Sequence, residues 1–412
     1  MKILVVSQYF WPESFLINNV AVGLVERGHQ VTVLTGSPNY PKGRFFEGYG
    51  FFNAPEEYQG VYVVRVPLIP RGRGAGVQLA LNYLSFAASA SIAGPLLCRG
   101  KFDQIFVFEP SPITVGIPAL VMKSLKSASV LFWVQDLWPE SLSATGALSS
   151  KVVLGWVGKL VRAIYRRCDR ILIQSRSFAG SVIQQGGSPE RIRYFPNSAE
   201  KVFTCQSASE AEIPALPTGF RIMFAGNIGA AQDFGNIIAT AKLLKEYRDI
   251  RWIIVGDGRM RQWAETEIAR QGLGEIFSFL GRYPLEAMPA FFAQADALLV
   301  TLRKEKIFAM TIPTKIQAYL ACGRPVIAAI DGEGAKIIEE AGAGFTCPAE
   351  DPGLFAQAVL KMYRTSSVER ERMAASGRKY YQLNFDSEAL LDKLVLWMQE
   401  LTDAKNCHTH ER

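Results

Sequence analysis

Several absences narrow the field before any motif is read. The six cysteines of this 412-residue chain, Cys98, Cys168, Cys205, Cys322, Cys347 and Cys407, include no Cys-x-x-Cys pair. Thiols so scattered fit a reducing compartment and exclude a disulfide frame or a zinc site. The first apolar run, MKILVVSQYF, leads into QYFWPES with no Gly-x-Gly-x-x-Gly, which sets aside an NAD dehydrogenase. That run is also too short for a signal peptide and has the form of a buried parallel strand. No nucleic-acid motif is visible. No charged residue occurs from Gly74 to Cys98.

What is present is enough for two cores. Hydrophobic residues make up 49% of the chain, and its length exceeds one ordinary domain. The net charge of +7 is unevenly spread: residues 1–200 carry 20 Lys+Arg against 12 Asp+Glu, residues 201–412 carry 25 against 26. A basic first half suits a phosphorylated substrate or an anionic membrane.

Short β-branched or aromatic runs alternate with helical patterns, which argues for parallel sheets covered on both faces. The first half offers strands at Ile3–Ser7, Val31–Thr35, Val61–Val66, Ile105–Phe108, Val130–Val134 and Ile171–Gln174, with helices at Ile17–Arg27 and Lys151–Cys168. The pattern pauses at 201–219, a small, polar, proline-bearing linker. It restarts with Arg221–Phe224, Trp252–Val255, Phe277–Leu280, Ala297–Thr301 and Val326–Ala329. The resulting division is 1–200, linker 201–219, second domain 220–385, terminal helix 386–402 packing back on the first domain, and a frayed tail 403–412. Ligands of such sheets bind beyond the carboxyl ends of the strands.

The second half holds the stronger chemical signals. WIIVGDGR at 252–259 runs a strand into a turn whose Gly256 and Gly258 serve either a ligand's approach or a tight bend. In PTKIQAYLACGRPVIAA at 313–329, Pro313 fits the first position of a helix, with Thr311 and Thr314 near its free amides. A helix start suits a diphosphate. Lys315 adds charge in that first turn, where a structural lysine is unfavourable.

The order of these segments resembles family 4 of the retaining glycosyltransferases. The run includes GHQVTVLT at 28–35, CDRILIQS at 168–175, YFPNS at 194–198, the glycine turn at 226–229, VGDG at 255–258, FLGR at 279–282 and GAGFTCPAEDP at 342–352. The resemblance implies an α/β, GT-B fold: two facing Rossmann-like, doubly wound domains with a cleft between them. QYFWPES, WVQDLWPES, TIPTK and KIQAYLACGRP are further similar to bacterial surface-polysaccharide transferases of the L-fucosamine type.

Departures from the family pattern matter as well. The Glu-x7-Glu pair is placed at Ala309 and Gln317, so only Gln317 remains to hydrogen-bond ribose. The usual Arg and Lys after the first second-domain strand are Asn227 and Gln232. Diphosphate charge then falls to Lys315 and the helix start. No Asp-x-Asp occurs, so the expected mechanism uses no metal and no cofactor. The implied donor site is Gly226, Asn227, Gly229, Gly256, Gly258, Arg282, Pro313, Thr314, Lys315 and Gln317.

In the first half, Tyr9, Trp11 and Glu13 follow the first strand and read either as acceptor contacts or as a loop anchored by aromatics. Asp136, at the mouth of the fifth strand, is the first choice for a carboxylate near the anomeric carbon, and Glu109 the second. The 74–98 run is long enough to span a bilayer. Yet Gln78, Asn82, Ser85, Ser89 and Ser91 dilute it, and a span there breaks the first sheet. It reads as a crossover helix that surfaces in part, with Lys159, Arg162, Arg166 and Arg170 as a basic stripe for anionic lipid.

The expectation is therefore retaining transfer of a sugar from a nucleotide-sugar donor, UDP-linked, to a lipid-linked saccharide acceptor. It takes place in the cytoplasm at the inner face of the membrane, with no nucleic-acid partner. A GT-B nucleotide-sugar epimerase and a non-catalytic nucleotide-sugar-binding protein are the alternatives.

Overall fold

A computed structural model describes residues 1–144, 150–204 and 212–410, without the side chains of Ala144 and 408–410. Cys205 and the rest of the 205–211 segment of the expected linker lie outside the described residues, as do Glu411 and Arg412. The chain forms two compact units, Met1–Pro196 with Glu388–Arg412, and Asn197–Ser387.

The first unit carries an eight-stranded sheet: β1 (Lys2–Val6), β2 (Gln30–Gly36), β3 (Glu56–Tyr58), β4 (Val61–Val66), β5 (Gln104–Glu109), β6 (Ser129–Val134), β7 (Arg170–Ile173) and β8 (Ile192–Tyr194). Their spatial order is β3-β4-β2-β1-β5-β6-β7-β8. Among the described residues of this sheet, only the β3–β4 pair is antiparallel. Ile3, Leu4, Val5 and Val6 are all fully buried, which accounts for an apolar run without alternation: both sheet faces are covered. Chain direction sets which face each helix takes, because crossovers are right-handed. The Gly76–Leu97 helix joins β4 to β5, Gly116–Lys126 joins β5 to β6, and Lys151–Tyr165 precedes β7. They form one layer, the 116–126 helix contacting both others. Leu16–Glu26 runs the other way, from β1 to β2, and takes the opposite face with the Ser387–His410 helix. There the backbone of Gly23 meets the Leu391 side chain, and Arg27 pairs with Glu388 and Asp392 at 2.9 and 2.8 Å.

The second unit carries β9 (Phe220–Ala225), β10 (Ile250–Val255), β11 (Phe277–Gly281), β12 (Ala297–Thr301), β13 (Val326–Ala329) and β14 (Gly344–Cys347). These strands are parallel throughout, in the order β11-β10-β9-β12-β13-β14. Ala199 and Phe203 are buried in its core, so residues read with the first domain and the linker belong to the second unit. The 403–410 segment, read as frayed, continues the last helix. Cys98, Cys168, Cys322, Cys347 and Cys407 are free thiols.

Candidate functional site

In the second unit the loops that follow β9, β10 and β11 are stitched together by their backbones. Gly226 donates to Val255 at 2.8 Å, Gly256 to Gly281 at 2.7 Å, and Ile228 to Asp257 at 2.9 Å. Such stacking leaves no room for side chains at the contacts. Gly256 has φ +140°, and a β-carbon there would lie 1.9 Å from the Gly226 carbonyl oxygen. A β-carbon on Gly258 would lie 2.3 Å from the Ile228 carbonyl. Of the two purposes the glycine turn left open, Gly258 therefore serves backbone packing. The loops border an open cavity of about 260 Å³ lined by Gly226, Asn227, Gly256, Asp257, Arg282 and Tyr283, among others. Four residues read from the sequence as donor contacts thus meet in one place. Gly229 is instead the start of a 3-10 turn, its amide held by Gln232 at 3.1 Å. Arg282 stands largely exposed, 3.7 Å from Asp257.

Lys315 approaches this cavity from behind. A β-carbon on Gly226 would meet the Lys315 Cε at 2.9 Å and its Nζ at 3.3 Å. The Nζ is enclosed and has no hydrogen-bond partner among the described residues. It sits 3.5 Å from the centre of the Phe224 ring. The residue as a whole is half-buried, and burial of the amine lowers its pKa to about 7. An amine in that setting has no structural counter-charge.

The helix bearing Lys315 corrects three expectations. Pro313 is the cap residue and Thr314 the first helical one, and no side chain caps the start. The Thr311 hydroxyl donates to Ile307, away from the free amides. Gln317 is fully buried, and its amide nitrogen donates to the carbonyls of Pro313 at 2.9 Å and Thr314 at 3.2 Å. It holds its own helix turn and does not offer its amide to a ribose. The free amides of this helix start, with Lys315, are what remains for an anion.

In the first unit, the ends of β5 and β6 gather Glu109 and Asp136 beside the fully buried ring of Tyr165. Burial, then the charge of Asp136, push the Glu109 carboxyl well above its ordinary pKa. Neither of its oxygens makes a well-formed hydrogen bond among the described residues. Asp136 is half-buried and raised chiefly by desolvation, with Ser141 and Trp138 favouring its charge. Trp138 meets Tyr83 edge-on at 6.4 Å. Asp136 is thus the more accessible of the two acids, and Glu109 is the fully buried one, its burial favouring the neutral form.

The expected acceptor residues are mostly committed to the fold. Tyr9 is buried and stacks on Phe15 at 4.8 Å. Trp11 stacks on Tyr58 at 4.8 Å, so that ring face is not free for a sugar. Glu13 is buried, and its Oε1 accepts from the amides of Asn39 at 2.7 Å and Tyr40 at 2.6 Å. It anchors the loop after β2.

Glu13 has a testable consequence. Burial outweighs those two amides and raises its pKa from 4.5 to about 7. A carboxyl raised on folding contributes stability below its unfolded pKa and loses it as pH rises through the folded one. Glu13→Gln keeps the Oε1 acceptor without the charge. Its urea midpoint should match wild type near pH 4 and exceed it near pH 8, while Glu13→Ala should lose about 1–3 kcal/mol near pH 4 and less near pH 8, where wild type bears the buried charge.

Comparison with known proteins agrees with this geometry. Residues 16–198 match the glycosyl transferase 4-like domain, and residues 219–365 match the glycosyl transferases group 1 domain. A protein of Escherichia coli (strain K12) described as a colanic acid biosynthesis glycosyl transferase, WcaI, is 27% identical over 78% of this chain and 82% of its own length. Among solved structures, sucrose-phosphate synthase from Thermosynechococcus elongatus superposes with a TM-score of 0.75 at 15% identity, covering 98% of this chain and 99% of that one. Anabaena Alr3699/HepE, solved in complex with UDP, gives 0.64 at 15% identity over 97% and 100%.

Proposed function

We propose, for a chain that its two domain matches make a glycosyltransferase of GT-B fold, retaining transfer of a sugar from a UDP-linked donor to a polyprenyl-diphosphate-linked saccharide. The product belongs to cell-surface polysaccharide, and the sugar is an N-acetyl-deoxyaminohexose of the L-fucosamine type. The observation that carries the donor assignment is Lys315: an enclosed, unpaired amine directly behind Gly226 of the second-unit cavity. The UDP in the HepE structure supports a uridine nucleotide, and the description of WcaI supports a bacterial polysaccharide. The sugar and retention rest on the sequence resemblance.

Gly226 and Gly256 keep the loops after β9, β10 and β11 stacked, and the nucleotide lies against the surface those loops present. Negative charge accumulates on the diphosphate as the glycosidic bond breaks. Lys315 and the free amides at 314–315 stabilise that charge more than the ground state, which lowers the barrier. The departing phosphate accepts the acceptor's proton, and Asp136 supports the reacting centre electrostatically.

Asp136→Asn should lower kcat by about 10²-fold with little change in Tm, the range expected of a positioned carboxylate. Unchanged turnover would remove Asp136 from the mechanism. The reading as a whole is tested by incubating the chain with UDP-sugars and lipid-linked saccharides and identifying products by mass spectrometry. A donor-only reaction giving an epimer would replace it.

A further inference from the structure

The Gly76–Leu97 helix breaks the usual rule for a surface helix. Its inward face, with Asn82, Phe86, Ala87, Ala90 and Gly94, packs on the sheet and the neighbouring helix. The opposite face should then be polar. Instead Val77, Leu81, Leu84, Ile92 and Leu96 recur at helical spacing on the outside, Ile92 and Leu96 at 74% and 72% exposure. The helix is long and apolar enough to cross a membrane, with a mean hydropathy of 1.2. Its inward face, however, is a working part of the β4–β5 crossover.

The layer around it is charged with one sign. None of the 76–97, 116–126 and 151–165 helices contains an Asp or a Glu. The 151–165 helix turns Val152 and Trp156 outward, then Lys159 and Arg162, with Arg166 one turn further and all five exposed. The Lys159 amine lies 4.7 Å from the Trp156 ring centre. Arg170 is not part of this stripe, since it lies in β7 and pairs with Glu400 at 3.2 Å. The opposite face of the same sheet is different: its last helix carries Glu388, Asp392 and Glu400.

A broad apolar strip beside exposed cations, with no carboxylate on the three helices themselves and Asp169 neutralising only Lys123, matches the acyl–headgroup boundary of an anionic bilayer. We propose that the outer surface of this three-helix layer is the face by which the chain lies on an anionic membrane, with the 76–97 helix in the plane of the interface. It deepens the reading of a lipid-borne acceptor and rests on that reading for its purpose, though not for its physics.

The test uses the full chain with phosphatidylcholine vesicles, with or without phosphatidylglycerol, in a flotation assay. Wild type should float with the phosphatidylglycerol vesicles and not with pure phosphatidylcholine, and salt should weaken the binding. Ile92→Glu/Leu96→Glu and Lys159→Glu/Arg162→Glu should each reduce partitioning at least about tenfold. Val368→Glu, on an exposed position of the second unit, should not. Trp156 emission, obtained as the difference from Trp156→Phe, should shift to the blue on vesicle addition. UDP-induced thermal stabilisation retained by all variants would show that they fold.

Three outcomes overturn the proposal: no flotation, equal flotation on neutral vesicles, or a dimer dissolved by Ile92→Glu/Leu96→Glu without vesicle binding. Transfer to a detergent-dispersed lipid-linked acceptor reads the function separately. Its persistence without flotation would sink the docking face alone, and its absence with flotation the acceptor alone.

Discussion

Lys315→Met should lower kcat by about 10²–10³-fold, the cost of removing one preorganised donor to a charge that develops in the transition state. Folding should survive, because the substitution puts an unbranched apolar chain where an unpaired amine now lies against Phe224. The pH dependence separates this from a packing defect. Burial depresses the folded pKa from 10.5 to about 7. For a base so depressed, the folded chain gains stability as pH rises from about 7 towards 10.5, and below 7 it bears the full cost of the buried charge. Lys315→Met should abolish that slope in Tm. Ligand binding should run the other way: UDP attracts a proton to the amine, so above pH 7 binding takes up protons and weakens with rising pH. Calorimetry in buffers of different ionisation enthalpy measures the uptake. Its persistence in Lys315→Met would assign it to another group.

A large effect on stability should come from Gly256→Ala. Two costs act together there, a φ of +140° and a β-carbon 1.9 Å from the Gly226 carbonyl oxygen. Neither relaxes without separating the loops after β9 and β10, so the loss should be at least about 3 kcal/mol. For a unit of this size that is a fall of roughly 6–12 °C in Tm, and the UDP-induced shift should disappear with it. Gly274→Ala supplies the control, since nothing lies within 4 Å of its added carbon. It should stay within about 0.5 kcal/mol of wild type. A Gly256→Ala chain as stable as that control would remove the stitched-loop account of the cavity.

Most of the strands that sequence reading found are buried on both faces; the half-buried edge strand Phe277–Gly281 is an exception. Val61–Val66, Ala297–Thr301 and Val326–Ala329 match the observed limits, because continuous apolar runs leave little ambiguity in a parallel sheet. The strands it missed, Glu56–Tyr58, Ile192–Tyr194 and Gly344–Cys347, are short and lie at sheet edges. An edge strand is half-exposed and draws its identity from its partner, not from its own pattern. For the site, Gly226, Asn227, Gly256 and Arg282 were legible because turn chemistry is local. Gln317, Trp11 and Glu13 were misjudged because what each side chain meets is fixed by packing. Gln317 turns back on Pro313, Trp11 meets Tyr58, and Glu13 reaches a loop 26 residues away. Asp257 and Tyr283 also line the cavity, and no motif marks them, because their place there is set by the stacking of three separate loops. The exposed apolar face of the 76–97 helix was foreseeable only as composition; its direction needed the sheet.

The central claim is that the second unit holds a nucleoside diphosphate sugar against Gly226 and Lys315. The most direct measurement is thermal unfolding of wild type and Lys315→Met across a panel of nucleotide sugars, since a ligand that binds only the folded chain raises Tm by mass action. The account predicts that a UDP-sugar raises the wild-type Tm and that Lys315→Met loses most of the rise. An equal rise in both proteins, or none with any nucleotide sugar, would contradict it.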